Sequence, residues 1–198
     1  MAANDGMPGM DGKTGLEAPG AGSGSALSRG DPGLELVDEV DGEDQVIRTI
    51  TRREMRQRRC LHRAVYIAVS DPVGRIWVQR RSPFKDYCPG MLDACAGGVV
   101  SSGEEYDRAA VRELAEETGI TGEALVPCGV RLLQARGGGV FGGIYFLRTA
   151  SRCLPLDGEV TEYLLMTPGE IRQRREEFTP DGLEALEAAL EHMAGSGF

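Results

Sequence analysis

The 198-residue sequence lacks the features that would mark several common classes of protein. No apolar run approaches the roughly 18 residues that a membrane-spanning helix needs, so no membrane association is predicted. The first residues, MAANDGMPGMDGKTG, have neither a basic start nor an apolar stretch, and no secretory signal is predicted there. Histidine is scarce, and His62 and His192 accompany five cysteines that form no CxxC pair, which argues against a zinc site.

The five cysteines are odd in number and scattered along the chain. Disulfides are rare in reducing compartments, so this pattern favours free thiols in a cytoplasmic protein. The sequence also has no RNP, zinc-finger or helix-turn-helix pattern, and no specific nucleic-acid partner is expected. The oligomeric state is left open.

The net charge of −9 is unevenly distributed. Residues 1–45 carry ten acidic and two basic side chains, whereas residues 46–85 carry eleven Arg or Lys side chains against Glu54 and Asp71. The basic stretch indicates either a solvated face or a surface that attracts an anionic ligand of modest size.

The first 33 residues are rich in Gly, Ala, Ser, Pro and Asp and have almost no large apolar side chains. Such a segment cannot bury enough apolar surface to offset its ordering entropy, so a disordered tail is predicted for residues 1–33. The remainder, residues 34–198, has the length of one domain.

The rest of the chain alternates between strand and helix patterns. Apolar runs around turn residues predict two hairpins, LELVDEVDGEDQVIRTI and AVYIAVSDPVGRIWVQRR. Thr51, with Glu54 three residues later, predicts a capping box, and Thr167 and Thr179, each followed by Pro, predict two further helix starts. A leucine stripe at 183, 186 and 190 indicates the buried face of the last helix. Three further strands are expected in LDACAGGVV, ALVPCGVRLLQ and GVFGGIYFLRTA, which gives a mixed α+β domain.

The segment RELAEETG places three glutamates on one side of a helix predicted over residues 105–118 and ended by Gly119. Glu113, Glu116 and Glu117 repel one another and the negative end of the helix dipole, and Glu117 falls on the side that should be buried. An acidic surface helix is one interpretation. A bound Mg²⁺ or Mn²⁺ would instead reverse all of these penalties.

The longer segment, GVVSSGEEYDRAAVRELAEETGI, resembles the Nudix box. The fixed positions of that motif correspond to Gly98, Glu104, Arg112, Glu113, Leu114, Glu116, Glu117, Gly119 and Ile120. The resemblance implies the Nudix fold, a mixed β-sheet sandwiched between α-helices. It also implies Mg²⁺- or Mn²⁺-dependent hydrolysis of a diphosphate joined to another moiety X, a small-molecule substrate.

The resemblance also implies roles for individual residues. Glu113, Glu116 and Glu117 would be the catalytic, metal-binding carboxylates, and the carbonyl of Gly97 would be a further metal ligand. Glu104 and Arg112 would pair and position the helix. These roles are chemically reasonable, because metal ions neutralise phosphate oxygens and lower the pKa of bound water, whose proton a glutamate accepts.

The similarity extends over roughly residues 34–185, to the branch that includes type I isopentenyl-diphosphate isomerase and its hydrolase-like bacterial relatives. In that branch an Arg and a Lys four residues later contact the diphosphate, and Arg81 and Lys85 match them. The isomerase's catalytic cysteine falls on Gly97, its histidine falls on Val99, and Cys95 lies two residues early. A hydrolase is therefore favoured, and Cys95 is expected to be a small buried residue.

Three further residues are predicted to contribute to the site. Glu159, and less surely Asp157, lies where relatives add an acidic ligand or base, while Arg63, beside His62, would help to bind substrate or serve the structure. Two alternatives to the hydrolase stay open. One is isomerase-like activity, and the other is a non-catalytic module that binds a nucleotide.

Overall fold

The computed structural model describes residues 31–156 and 158–196. Most of the predicted tail, and Asp157, therefore lie outside the described residues. The last three residues of that segment are described, and Asp31 forms an ion pair with Arg53. No helix in the described ranges combines the length and the apolar character that crossing a membrane requires.

The described residues form eight strands and four α-helices. The strands are β1 (Leu36–Val40), β2 (Val46–Thr51), β3 (Arg63–Ser70), β4 (Ile76–Arg81), β5 (Leu92–Asp93), β6 (Val126–Ala135), β7 (Gly138–Arg148) and β8 (Val160–Met166). The α-helices are α1 (Arg52–Arg58), α2 (Tyr106–Thr118), α3 (Pro168–Gln173) and α4 (Pro180–Gly195).

The main sheet has six strands in the order β5-β4-β3-β7-β6, and β8 pairs with β4. Strand β3 is parallel to β7, and every other pairing in this sheet is antiparallel. The predicted hairpin of β3 and β4 is present, but the two strands pair only at Ser70 and Ile76 before each takes another partner. Strands β1 and β2 form the other predicted hairpin as a separate two-stranded sheet.

The alternation of side chains along β3 places a helix on each face of the main sheet. Val65, Ile67 and Val69 belong to the hydrophobic cluster that contains Leu114 of α2. The intervening residues, Ala64, Tyr66 and Ala68, belong to the cluster that contains residues of α4. Because both faces are covered, nearly the whole strand is buried. The predicted mixed sheet between helices is therefore confirmed.

The ends of the helices follow the predicted capping residues in most places. The hydroxyl of Thr51 accepts the backbone N–H of Glu54, although the Glu54 carboxylate binds Arg58 rather than completing the box. The capping box at Thr167 is complete, and Gly119 ends α2 with φ of +77°. Thr179, by contrast, precedes α4 without a side-chain capping bond.

Two local predictions differ from the structure. Of the leucine stripe on α4, only Leu186 is fully buried, and small residues such as Ala185 and Ala189 provide the rest of the core face. Small residues allow this helix to lie close to the sheet. The segment LDACAGGVV forms only the two residues of β5, and its later residues run beside β3 through single bridges at Ala96 and Val99.

The burial of His62 makes acid stability a test of this packing. Burial lowers the pKa of His62 from 6.5 to about 4, and its Nδ1 lies 3.0 Å from the carbonyl oxygen of Cys60. Between pH 6.5 and about pH 4, His62 is protonated in the unfolded chain but stays neutral in the folded protein. The parent should therefore lose on the order of 3 kcal/mol of stability through this group as the pH falls across that window.

His62→Gln should remove that part of the pH dependence, because glutamine does not titrate. Chemical denaturation at pH 7, 5.5 and 4 would measure it as a difference between variant and parent. His192 is exposed, so His192→Gln is the matched control. Parallel pH profiles for the parent and His62→Gln would contradict the prediction.

Candidate active site

The last turn of α2 buries a carboxylate against the main sheet. The side chain of Glu117 is 2% exposed, and its Oε2 accepts the backbone N–H of Gly97 at 2.9 Å. The side-chain amide of Gln79 on β4 donates to the same oxygen at 3.3 Å. The inward position expected from helical periodicity is therefore observed.

Burial raises the pKa of Glu117 to about 8. The ammonium of Lys85, with Nζ 3.8 Å from Oε1, opposes this rise, while the charge of Glu113 adds to it. The protein thus holds a carboxylate where ionisation is costly unless a cation is near.

The other two glutamates of the motif lie beside it at different depths. The Oε1 of Glu113 accepts from Arg112 at 2.7 Å, and its carboxylate lies against Gly98. Burial raises the pKa of Glu113, and Arg112 opposes the rise. The side chain of Glu116 is 49% exposed and 3.6 Å from the same guanidinium. Two carboxylates therefore converge on the Gly97–Gly98 backbone, and the third lies at the rim.

Both glycines are required by close contacts. Gly97 has φ of +147°, and a Cβ atom there would lie 2.0 Å from the carbonyl oxygen of Val65. A Cβ at Gly98 would lie 2.6 Å from the Glu113 carboxylate. The β3 strand uses the carbonyls of Ala96 and Gly98 as acceptors, at 2.7 and 2.9 Å. The carbonyl of Gly97 lies between them, and in the predicted ligand set it binds metal.

Glu104 and Arg112 form the pair expected from the motif. Two guanidinium nitrogens donate to the two carboxylate oxygens, at 3.0 and 2.7 Å. This hydrogen bonding to Arg112 lowers the pKa of Glu104. The bidentate geometry ties the loop before α2 to the side of the helix that carries Glu113.

The predicted cations lie on the other side of the cleft. Lys85 pairs with both Glu117 and Glu159, so the loop before β8 meets the carboxylate helix through this lysine. Arg81 is 8% exposed and is held by Asp93, at 3.3 Å, and by the carbonyl oxygen of Tyr87, at 3.0 Å. Both side chains line the cleft with Gly97.

Arg63 lies apart from this group. Its guanidinium binds the carboxylate of Asp44 at 2.7 Å and lies over the ring of Tyr106, 5.6 Å from the centroid. The described residues that line the cleft beside Gly97 do not include it. A direct substrate contact by Arg63 stays a prediction without support from this geometry.

The floor of the cleft contains a polar cluster that the sequence patterns did not reveal. The hydroxyls of Tyr66 and Tyr87 donate to the two oxygens of Asp181, at 2.8 and 2.6 Å. Burial raises the pKa of nearby Asp93 to about 6, against the influence of Arg81. The only signal at Asp181 was its place in the first turn of a predicted helix, which does not distinguish a buried carboxylate from a surface one.

A second, larger cavity adjoins the cleft. It has a volume of about 470 Å³, and Arg52, Arg56 and Lys85 line both spaces. Phe84, whose side chain is 94% exposed, forms part of its wall. The cleft beside the glutamates therefore opens towards a space large enough for a further chemical group.

The carboxylates have the chemistry that a hard divalent cation requires, because several oxygen donors meet beside backbone free of side chains. Within residues 31–156 and 158–196, no three His, Cys, Asp or Glu side chains stand in ligating geometry. Arg112 and Lys85 instead neutralise these carboxylates. A metal ion bound to these glutamates would replace these partners.

The sandwich and the glutamate-bearing helix against a glycine loop define a Nudix domain. Comparison with protein-family models matches residues 61–193 to the NUDIX domain. The chain belongs to the Nudix family, and the predicted class of enzyme, a Nudix-type pyrophosphohydrolase, is confirmed at that level.

Relatives extend the similarity over most of the chain. An uncharacterised Nudix hydrolase of Yersinia pestis is 43% identical over 153 residues, covering 77% of this chain and 84% of the relative. The uncharacterised Nudix hydrolase YfcD of Escherichia coli K12 is 42% identical over 152 residues, covering 77% and 84%. The crystal structure of DR0079 from Deinococcus radiodurans is 26% identical with a TM-score of 0.61, covering 78% of this chain and 97% of that one.

Replacement by alanine should destabilise the protein more at Gly97 than at Gly98. Gly97→Ala should lower the free energy of unfolding by at least about 2 kcal/mol, because the backbone of β3 cannot yield and the φ angle is unfavourable. Gly98→Ala should cost less, because the group it meets is the flexible end of Glu113. Denaturant titration would measure both.

Gly122→Ala is the control, because Gly122 has φ of +74° and open space around its Cβ position. It measures the cost of a methyl group at positive φ without a contact, about 1 kcal/mol, whereas Gly97 adds a rarer φ of +147° and the contact with Val65. An equal loss at positions 97 and 122 would show that the contact with Val65 is unimportant.

Proposed function

We propose that the protein hydrolyses a diphosphate linkage in a small molecule of the nucleoside diphosphate-X type, with Mg²⁺ or Mn²⁺ bound by Glu113, Glu116, Glu117, the carbonyl of Gly97 and Glu159. The observation that carries the proposal is the convergence of the buried Glu117 carboxylate and the partly buried Glu113 carboxylate on side-chain-free backbone, opposite Lys85. When bound, the metal supplies charge neutralisation of phosphate oxygens and a water of lowered pKa.

In this proposal, different residues bind the phosphates, position the helix and accept a proton. Lys85 and Arg81 bind phosphate oxygens through charge-assisted hydrogen bonds, and Asp93 orients Arg81 for that role. Glu104 and Arg112 fix the helix that carries the glutamates. One of those glutamates accepts the proton of the attacking water. The adjoining cavity accommodates the X group.

Two observations favour hydrolysis over the isomerase alternative. Position 97, which corresponds to the isomerase cysteine, has no room for a side chain against Val65. Cys95 is 2% exposed, and burial raises its pKa well above the usual thiol value. A thiol of this kind is a packing residue rather than a proton donor or acceptor at neutral pH.

A substrate panel tests the proposal directly. Nucleoside diphosphate derivatives would be incubated with Mg²⁺, and phosphate-containing products would be identified by mass. Hydrolysis of at least one member should vanish with excess EDTA and return with Mg²⁺ or Mn²⁺. Full activity in EDTA, or proton exchange on isopentenyl diphosphate without hydrolysis of any member, would overturn it.

Glu117→Gln should reduce turnover by at least about 10²-fold, because a metal ligand is lost. In EDTA the variant should be as stable as the parent or slightly more stable, because burial makes ionisation of this carboxyl costly and glutamine keeps an acceptor for the Gly97 N–H. Mg²⁺ should raise the melting temperature of the parent by mass action and that of the variant by less. Thermal melts with and without Mg²⁺, beside one rate assay, measure all three quantities.

Glu105→Gln is the matched control for that experiment, because Glu105 precedes the same helix and its side chain is exposed. Its turnover and its response to Mg²⁺ should resemble those of the parent. An active Glu117→Gln protein with lowered stability would identify Glu117 as an ordinary structural residue.

Removal of the two cleft cations should separate binding from stability. In Mg²⁺, Lys85→Gln should raise KM by about tenfold or more with little change in melting temperature, because one charge-assisted contact with substrate is lost while the metal would neutralise Glu117. Arg81→Gln should raise KM and also lower the melting temperature, because buried Asp93 loses its partner. Unchanged kinetics in both variants would exclude these residues from the substrate site.

A further inference from the structure

Two arginines of α1 face the loop that carries Lys85. Arg52 and Arg56 lie one turn apart, and the Nε atoms of both side chains point to the same carboxylate oxygen of Asp86, at 3.6 and 3.5 Å. These distances exceed the roughly 2.7–3.2 Å of a good N–H···O hydrogen bond. One carboxylate thus lies between two guanidinium groups without bonding closely to either.

The two Nε atoms are buried and have no hydrogen-bond partner among the described residues. A buried N–H donor without a partner is costly and uncommon, so an anion that accepts from both Nε atoms would bind favourably here. The rest of each side chain is fixed. Arg52 donates from Nη1 to Glu35 at 3.0 Å, and the Arg56 guanidinium lies over the ring of Tyr87, 5.3 Å from its centroid.

The position of the pair connects it to the proposed site. Arg52 and Arg56 line both the cleft beside Gly97 and the adjoining cavity of about 470 Å³. Asp86 is partly desolvated, which raises the pKa of its carboxyl, but Arg52, Arg56, Lys85 and Arg81 together outweigh that effect and lower it. Four cations therefore surround one exposed carboxylate.

We propose that Arg52 and Arg56 form a second anion subsite, which binds a phosphate monoester on the X group of the substrate. This inference rests on the proposed function and adds a substrate class to it, namely diphosphates that carry a third phosphate. A flat carboxylate such as Asp86 bonds neither Nε closely, whereas a tetrahedral dianion has three oxygens to offer two guanidinium groups. Asp86 occupies the place of that phosphate in the free protein.

Binding of inorganic phosphate tests the subsite without any hydrolysis. In EDTA, the parent would be titrated with phosphate at constant ionic strength and followed by melting temperature. The double variant Arg52→Gln/Arg56→Gln should weaken phosphate binding by about tenfold or more. Asp86→Asn should strengthen it, because the competing carboxylate is removed while its shape is kept.

The opposite directions of these two changes separate a ligand site from a structural ion pair. If the two arginines and Asp86 only joined α1 to the loop, Asp86→Asn would destabilise the protein and would not improve phosphate binding. Arg58→Gln is the matched control, since Arg58 lies on the same helix and 54% of its side chain is exposed. Phosphate binding that is absent, or equally affected by Arg58→Gln, would overturn the proposal.

Matched substrate pairs then test whether the phosphate belongs to the substrate. NADPH and NADH, and coenzyme A and dephospho-coenzyme A, each differ by one phosphate monoester. The parent should prefer the phosphorylated member of at least one pair by about tenfold in kcat/KM. The arginine double variant should abolish that preference, and Asp86→Asn should increase it.

The two arms distinguish the possible failures. Phosphate binding at the subsite without any preference in the substrate pairs would assign the site to a free anion and overturn the substrate assignment. Hydrolysis of other diphosphates without phosphate binding would leave the proposed function intact and overturn the subsite. Phosphate binding at the subsite without hydrolysis of any diphosphate would overturn the proposed function and, with it, the substrate assignment.

Discussion

The hydrogen bond from the Gly97 backbone to the buried Glu117 carboxylate is the constraint on which the rest of the site depends. It requires the last turn of α2 to lie directly against the segment beside β3. The Gly97 segment in turn can lie this close to β3 only because position 97 has no side chain to collide with Val65. Once the helix is there, Glu113 meets Gly98, and two of the three motif glutamates converge on the same backbone.

The buried charge also organises parts of the chain that are far apart in sequence. Gln79 on β4, Lys85 on the following loop and Gly97 all approach the same side chain on α2, and Lys85 links it in turn to Glu159 before β8. Each contact offsets part of the desolvation cost of the carboxylate. Polar and charged contacts to one carboxylate therefore join the loops around the cleft.

The sequence predicted the features that depend on local periodicity and motif spacing. Glu117 was placed inward by its angle on the helix, and Thr167 and Gly119 mark helix ends where expected. The sequence did not predict the long-range contacts, because a local pattern does not specify which distant residue is the partner. Examples are the parallel pairing of β3 with β7 and the cluster around Asp181. A substrate contact was predicted for Arg63 only because it stands beside His62 before a strand. In the structure its guanidinium binds Asp44 instead.

The same cations serve two purposes in this arrangement. Without metal, Lys85 and Arg112 pair with the glutamates, so these two cations are partly occupied by the protein's own acids. A divalent cation on those glutamates would release Lys85 to bind phosphate. Metal and substrate would then bind cooperatively, and thermodynamic linkage requires each to strengthen the other equally. A site that keeps its charges paired until both ligands arrive avoids the cost of an uncompensated buried charge in the free protein.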